Sequence, residues 1–227
     1  MTPEKHYAVA VDGPSGAGKS TLAKAIAEQL GILYVDTGAI YRTIGCAVQQ
    51  CGIEPRDEDA VRALLPELDI AMRYESDGEQ HMLLNGRDVT REIRLPEISM
   101  YASAVSALPA VRAYLLEMQR ELARRHSVIM DGRDIGTVVL PDAEVKIFLT
   151  ASAEVRAQRR CLELERRGTP KPYEEVLREL NERDYNDSHR AAAPLKAAPD
   201  AVIVDTSALN FDESREALLA LIRERVQ

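Results

Sequence analysis

The sequence has no tryptophan and only two phenylalanines among its 227 residues. A protein with so few large aromatic side chains offers no platform on which the bases of a single-stranded nucleic acid could stack. The formal net charge is −8, which further disfavours non-specific contact with a polyanion. Both features predict that nucleic acid is not a partner of this protein.

Cysteine is scarce, and long apolar runs are missing. The three cysteines, Cys46, Cys51 and Cys161, form no CxxC pair and no spacing typical of a metal site. The apolar runs are too short to cross a bilayer, and the first residues contain no apolar core of a signal peptide. These absences predict a protein of the reducing cytoplasm without a membrane partner.

Short runs rich in valine and isoleucine alternate with segments of helical periodicity. The runs predict strands at 6–12, 32–36, 127–131, 145–150 and 201–206. The periodic segments predict a first helix from about Lys19 that stops at Gly31, and further helices at 39–51, 109–126, 152–167, 173–187 and 211–225. Because this alternation is typical of a parallel sheet with helices on both faces, the chain is predicted to be an α/β protein.

One segment breaks this alternation. Residues 68–94 are predicted to form two short strands joined at Ser76-Asp77-Gly78, with another turn at Asn85-Gly86, as in antiparallel hairpins. A helical segment follows near 96–107. We therefore expect a small α+β insert at 63–107, within a core formed by 1–62 and 108–227.

The segment GPSGAGKS at 13–20 matches the phosphate-loop pattern G-x-x-x-x-G-K-[ST] between a predicted strand and a predicted helix. Its glycines let backbone N–H groups turn towards phosphate oxygens, and the start of the helix attracts the same anion. Lys19 would reach the β- and γ-phosphates, and the Ser20 hydroxyl could ligate Mg²⁺. The pattern predicts a nucleoside triphosphate site. The sequence has no N-K-x-D motif, which argues against a GTPase switch.

Two polar motifs follow predicted strands and would lie at the carboxyl edge of the sheet, where open α/β folds bind ligands. DTGAIYR spans 36–42, and DGRDIG spans 131–136. The alternatives are an Asp-Thr helix cap with Arg42 in solvent, and a plain turn. Asp36 and Asp131 are the candidates to assist Mg²⁺ through water.

Arginines are clustered in the two helices predicted at 152–187. Arg156, Arg159 and Arg160 lie in the first helix, and the second ends in RDYNDSHR after a Gly-Thr-Pro break at 168–170. Because guanidinium groups bind phosphate oxygens, this helical hairpin would form a lid, at about 156–172, over a bound nucleotide. The alternative is a pair of solvated helices with i,i+4 ion pairs.

These longer motifs make the sequence resemble the bacterial cytidylate kinase family, the nucleoside monophosphate kinases for CMP and dCMP. The matching blocks, in the family's order and spacing, are VDGPSGAGKST, VDTGAIYR, SALPAVR, MDGRDIGTVVLPDAEVKIFL, NERDYNDSHR and AAPLKAAPDAVIVDT. The resemblance implies a P-loop kinase core with a five-stranded parallel sheet, a small α+β monophosphate-binding insert and a short helical lid. It also implies phosphoryl transfer from ATP to CMP or dCMP by a monomer with Mg²⁺, giving ADP and CDP or dCDP.

The resemblance further implies roles for individual residues. ATP would be held by Gly13, Pro14, Ser15, Gly16, Ala17, Gly18, Lys19, Ser20, Thr21, Arg156 and Arg160, and Mg²⁺ by Ser20 with Asp36 and Asp131 through water. The monophosphate substrate would contact Thr37, Tyr41, Arg42, Ser103, Arg112, Arg133, Asp134, Arg183, Asp187 and Arg190. In that set, Arg42, Arg133 and Arg190 would meet the phosphate, Ser103, Arg112 and Asp134 the cytosine, and Arg183 and Asp187 the sugar. The expected catalytic residues are Lys19, Arg133 and Arg159.

Two other functions stay open at the level of the sequence. A kinase of the same kind could act on another small acceptor, such as UMP, shikimate or gluconate. A nucleotide-dependent binding module without turnover is also compatible with a phosphate loop. The arginine-rich motifs argue against the second function, and the 63–107 insert argues against the shorter shikimate-type kinases.

Overall fold

The computed structural model describes residues 6–75 and 78–226. Its strands are β1 (Ala8–Asp12), β2 (Leu33–Asp36), β3 (Ile70–Tyr74), β4 (Gln80–Leu84), β5 (Arg87–Asp88), β6 (Val128–Gly132), β7 (Val145–Thr150) and β8 (Val202–Asp205). Its α-helices are α1 (Lys19–Leu30), α2 (Thr37–Gln50), α3 (Glu58–Leu64), α4 (Pro96–Val105), α5 (Pro109–Arg125), α6 (Ala153–Arg166), α7 (Tyr173–His189) and α8 (Phe211–Val226).

The central layer is a five-stranded parallel sheet in the order β2-β6-β1-β7-β8. All five strands predicted from the valine-rich and isoleucine-rich runs are present, and the α/β fold class is confirmed. β1 lies in the middle and is buried along its whole length, so the loop that follows it starts at the centre of the sheet. No described helix has the length and apolar character needed to cross a membrane.

Helix ends follow the capping residues in the sequence. Gly18 and Gly31 flank α1 in left-handed backbone conformations, and the side chains of Asp36 and Ser152 cap α2 and α6. Among the α-helices of the described residues, periodicity did not predict α3, whose short polar sequence has no clear apolar face. Asp57 caps it by accepting from the N–H of Ala60 at 3.1 Å, and that cap was the available signal.

The residues between the second and third core strands form a three-stranded antiparallel sheet, β3-β4-β5, followed by α4. This confirms hairpin structure in 68–94 and adds a short third strand. Asn85 and Gly86 both have positive φ, as a tight hairpin turn requires. The other predicted turn includes Ser76 and Asp77, which lie outside the described residues. The boundaries of the insert at 63 and 107 stay a prediction, and α3 runs across the first of them.

Two hydrophobic clusters cover the faces of the parallel sheet. Neighbouring residues of β6, Ile129 and Met130, belong to different clusters because successive side chains point to opposite faces. α1 and α8 cover the face of Ile129, whereas α2, α5 and the 70–105 segment pack on the other. At Gly45 of α2 an added Cβ would come within 2.8 Å of the backbone nitrogen of Ala102, so α4 lies in very close contact with α2.

Candidate active site

The phosphate loop leaves β1 at a position that only glycine can occupy. Gly13 has a φ of 147°, and a Cβ there would lie 2.0 Å from the carbonyl oxygen of Leu149. Gly16 and Gly18 also have positive φ, at 76° and 89°. The loop therefore curls back on itself and delivers the chain into the first turn of α1, whose N–H groups attract anions.

Lys19 is buried at the start of this helix. Its Nζ donates to the carbonyl oxygen of Pro14 at 2.7 Å, and its side chain crosses the phosphate loop. Burial lowers the pKa of Lys19 well below its usual value, and the nearby positive charge of Arg133 lowers it further. An anion placed in the loop would be stabilised by this poorly solvated ammonium group.

Ser20 and Thr37 meet at Asp131, the residue predicted to assist Mg²⁺. The Ser20 hydroxyl donates to Asp131 Oδ2 at 2.7 Å, and the Thr37 hydroxyl donates to the Asp131 carbonyl oxygen at 2.7 Å. Tyr34, which sequence reasoning missed, donates to Asp131 Oδ1 at 3.0 Å. Burial raises the pKa of Asp131, and the negative charge of Asp36 raises it further.

Asp36 joins the sheet edge to the 70–105 segment. Its Oδ2 accepts from Arg94 at 2.8 Å, and the side-chain amide of Gln80 bonds to both the N–H and the carbonyl of Asp36. Burial alone would raise the pKa of Asp36, but the guanidinium groups of Arg94 and Arg42 lower it below its usual range. Neither Arg94 nor Gln80 lies in a recognisable motif, so these contacts could not be predicted from local sequence patterns.

The oxygen donors at this edge fit a magnesium ion that arrives with a nucleotide. Among the described residues, no group of three or more acidic, histidine or cysteine side chains could hold a metal ion. Mg²⁺ in nucleotide sites needs only one or two carboxylates, because phosphate oxygens and waters complete its shell. Ser20 with Asp131 and Asp36 supplies a hydroxyl and two carboxylates of that kind.

Arginines predicted to contact the phosphate and the sugar of the acceptor lie half-buried near one another. Arg133 donates from Nε to Asp187 Oδ2 at 2.8 Å. The Nε of Arg183 is buried and has no hydrogen-bond partner among the described residues. Burial lowers the pKa of Arg183 to about 10, with a further contribution from Arg133, and burial lowers the pKa of Arg42 as well. Positive charge concentrated in this way creates a site for an anion.

A second cluster surrounds the predicted base-reading carboxylate. Asp134 pairs through Oδ2 with Arg112 and through Oδ1 with Arg190, the latter at 3.4 Å. Arg112 also donates to the carbonyl oxygen of Ser106 at 3.1 Å and lies 5.7 Å from the centre of the Tyr41 ring. The carbonyl oxygen of Ser103, the third predicted cytosine contact, accepts from the Ser106 hydroxyl at 2.9 Å. Asp134 thus links Arg112, predicted to contact the cytosine, to Arg190, predicted to contact the phosphate.

The three arginines of α6 have different surroundings. Arg156 is buried and donates to the carbonyl oxygen of Ser15 in the phosphate loop at 3.0 Å, and to Asp184 at 2.6 Å. Arg160 pairs with Glu163 on the helix surface at 2.7 Å. Of these three arginines, Arg156 is therefore the one that contacts the phosphate loop.

Arg159 bonds to the loop after β8 in this structure, and its predicted catalytic role stays a prediction. Its guanidinium donates to the carbonyl oxygens of Thr206 and Leu209 at 2.7 and 3.3 Å, and to the Thr206 hydroxyl at 3.2 Å. These partners follow β8, which is separated from β1 by β7. The structure therefore directs Arg159 to the loop after β8 rather than to Lys19 and Arg133.

A family model described as cytidylate kinase matches residues 9–224. A cytidylate kinase from Caldicellulosiruptor bescii is 48% identical over 98% of this chain and 98% of its own length. One from Desulfitobacterium hafniense is 46% identical over 99% and 96%. The structure of an uncharacterized protein from Eubacterium ventriosum, at 13% identity, covers 97% of this chain and 100% of its own with a TM-score of 0.55, which shows the fold alone. The chain belongs to the cytidylate kinase family.

Proposed function

We propose that this protein transfers the γ-phosphoryl group of ATP to CMP and dCMP, giving ADP with CDP or dCDP. The observation that carries the proposal is the pairing of Asp134 with Arg112 and Arg190 at the same sheet edge as the phosphate loop. A phosphate loop alone is compatible with any nucleotide-dependent protein. A second, arginine-lined cluster beside it is what an acceptor that carries both a phosphate and a base requires.

On the donor side, the ATP phosphates would lie in the loop formed by Gly13–Thr21. Lys19 would exchange its bond to the Pro14 carbonyl for the β- and γ-phosphates, and Arg156 would hold the loop through Ser15. Mg²⁺ bound with ATP would offset the charge of its phosphates, held by Ser20 directly and by Asp131 and Asp36 through water. The surface position of Arg160 leaves its contact with ATP dependent on closure of the lid.

On the acceptor side, the nucleophile is an oxygen of the CMP phosphate. A phosphate monoester has its second pKa near about 6, so this group is mostly dianionic at neutral pH and needs no general base. The chain's part in the reaction is to hold two polyanions in line and to exclude water. Arg42, Arg133 and Arg190 would offset the negative charge of the acceptor, with Thr37 and Tyr41 lining the same region.

Base selection would fall to Asp134, Arg112 and Ser103. Cytosine presents an amino donor at position 4 and an acceptor at N3, so it is matched by a carboxylate and a guanidinium. Uracil presents an acceptor and a donor at those positions, and with it two acceptors would face each other. Arg183 and Asp187 would contact the sugar of the acceptor nucleotide.

A coupled assay of ADP release tests the proposal. The acceptors are CMP, dCMP, UMP, AMP, shikimate and gluconate, each with ATP and Mg²⁺. We expect efficient turnover with CMP and dCMP, and with UMP at a kcat/KM lower by roughly 10²–10³, since water in an open crevice relieves part of the mismatch. Preference for a non-nucleotide acceptor, or nucleotide binding without turnover, would overturn the proposed function.

We also propose that the protein is a monomer and is located in the cytoplasm. Sedimentation analysis would check the first statement, and cell fractionation would check the second.

A further inference from the structure

Asp12 is a buried carboxylate that the proposed function does not use. It ends β1, directly before Gly13, and is 4% exposed. Its Oδ1 accepts from the N–H of Ile135 at 2.8 Å, and its Oδ2 accepts from the N–H of Gly136 at 2.8 Å. Hydrogen bonds to a charged acceptor in a buried setting are among the stronger ones in proteins.

The two donors belong to the first turn of a helix. Residues Ile135–Val139 form a single π-helical turn, and the first N–H groups of any helical turn have no partner within it. An aspartate at the preceding position usually supplies the missing acceptor. That position is held by Asp134, yet its side chain makes no capping bond and pairs with Arg112 and Arg190 instead.

Asp12, on the neighbouring strand β1, therefore caps the turn that Asp134 would otherwise cap. If Asp12 were absent, the N–H of Gly136 would lack an acceptor, and the carboxylate of Asp134 would be the nearest one in sequence. Turning inward to cap that N–H would take Asp134 away from Arg112 and Arg190. A Cβ on Gly136 would lie 3.4 Å from Asp12 Oδ2 and 3.3 Å from the Lys146 side chain, so the turn is closely packed against Asp12.

We propose that Asp12 is a positioning residue for base selection, because it caps the Ile135–Val139 turn and so keeps the Asp134 carboxylate directed at the base. The inference rests on the proposed function. Through two hydrogen bonds it links the residue before the phosphate loop to the turn that follows Asp134. Burial of the carboxylate raises the pKa of Asp12 to about 6.

The test compares kcat/KM for CMP and for UMP in four proteins: the unaltered chain, Asp12→Asn, Asp134→Asn and the double variant. In Asp12→Asn the amide keeps one acceptor but places an N–H₂ group against one backbone N–H. We expect the preference for CMP over UMP to fall by about tenfold or more. In the Asp134→Asn background, the same change at Asp12 should alter that preference little, since the residue on which it acts is already changed.

The control is Asp57→Asn, which alters another capping aspartate, the one that caps α3. We expect it to leave the preference unchanged. Two results would overturn the inference and leave Asp12 a purely structural role. One is an equal loss of kcat/KM for CMP and UMP in Asp12→Asn. The other is a double variant in which the effects of the two substitutions on the preference for CMP simply add. If Asp12→Asn does not fold, Asp12→Ser, which keeps one acceptor without charge, replaces it in the same comparison. Failure of the proposed function itself would be distinct, since the unaltered chain would not turn over CMP.

Discussion

Lys19 spans the phosphate loop with a 2.7 Å bond from Nζ to the Pro14 carbonyl oxygen. Replacing it by methionine keeps the apolar stem of the side chain and removes the charge. We expect Lys19→Met to melt like the unaltered chain and to lose about three or more decades in kcat, because a charge in a dry site stabilises the transition state by several kcal/mol. Thermal denaturation and steady-state kinetics check this. An unchanged melting curve with more than a tenth of normal turnover would contradict the role of Lys19.

Substitution of Asp134 tests whether this residue contacts the base of the acceptor. Asp134→Ala leaves Arg112 and Arg190 without their carboxylate and removes the group expected to face the cytosine amino group. We expect kcat/KM for CMP to fall far more than that for UMP, which narrows the gap between the two substrates. Asp200→Ala is a matched control, since this exposed carboxylate pairs only with Lys146 among the described side chains. Equal losses for CMP and UMP would mean that Asp134 supports the phosphate-binding arginines.

The raised pKa of Asp12 leads to a prediction of how the stability of the protein depends on pH. Its pKa is raised by burial to about 6 in the folded protein, against about 3.9 in an unfolded chain. A raised pKa stabilises the folded state below the unfolded value, and that contribution is lost as the pH rises through 6. We expect the free energy of unfolding of the unaltered chain, minus that of Asp12→Asn, to increase by about 2 kcal/mol as the pH falls from 7 to 4.

Urea denaturation of both proteins across that pH range is the measurement. Asp131, whose pKa is also raised by burial, is present in both proteins, so its titration cancels in the difference. Parallel stability curves would show that Asp12 does not take up a proton in this range.

At the scale of elements, α6 and α7 form a hairpin with its own small core. Ala157, Leu164, Val176 and Leu180 pack between the two helices. Arg156 ties the hairpin to the phosphate loop through Ser15. The shared core favours movement of the two helices as one unit. We propose that residues 156–172 close over bound nucleotides as a lid.

Hydrogen exchange tests the lid directly. We expect a bisubstrate mimic, in which adenosine and cytidine are joined through a chain of phosphates, to slow amide exchange in 156–172 on a scale of seconds to minutes. The amides of α8, which packs beside α1 on the same face of the sheet, serve as the internal control and should exchange at the same rate with and without the mimic. Equal exchange of 156–172 in both samples would exclude closure.

Some elements of the fold could be predicted from the sequence, and others could not. The five parallel strands and α1 were predictable because buried strands, glycine stops and caps leave local patterns. α3 was not, because its seven residues bury only Val61. Contacts such as Arg94 with Asp36, 58 residues apart, and Asp12 with Gly136, 124 apart, leave no local pattern and depend on the folded topology. The placement of Arg159 against Thr206 is of the same kind.

At the scale of the whole molecule, most of the predicted site residues lie at the carboxyl end of the parallel sheet. The phosphate loop after β1, the DTGAIYR segment after β2 and the DGRDIG segment after β6 are adjacent because those strands are neighbours in the order β2-β6-β1. The chain carries a net charge of −8, yet the half-buried cations Arg42, Arg133 and Arg183 lie close together here. Their mutual repulsion opposes folding until an anion binds.

Binding of the acceptor phosphate should therefore stabilise the entire fold. At a concentration of 100 times its Kd, a ligand that binds only the folded state adds about 2.7 kcal/mol, which for a chain of this size raises Tm by roughly 5–10 °C. We expect CMP to produce such a shift in a thermal denaturation assay, and cytidine at the same concentration to produce much less, because it lacks the phosphate. In Arg133→Met the difference between the two ligands should shrink, since one of the cations is gone. If CMP and cytidine raise Tm equally in the unaltered chain, the arginine cluster is not the phosphate site, and the acceptor must bind elsewhere on the sheet edge.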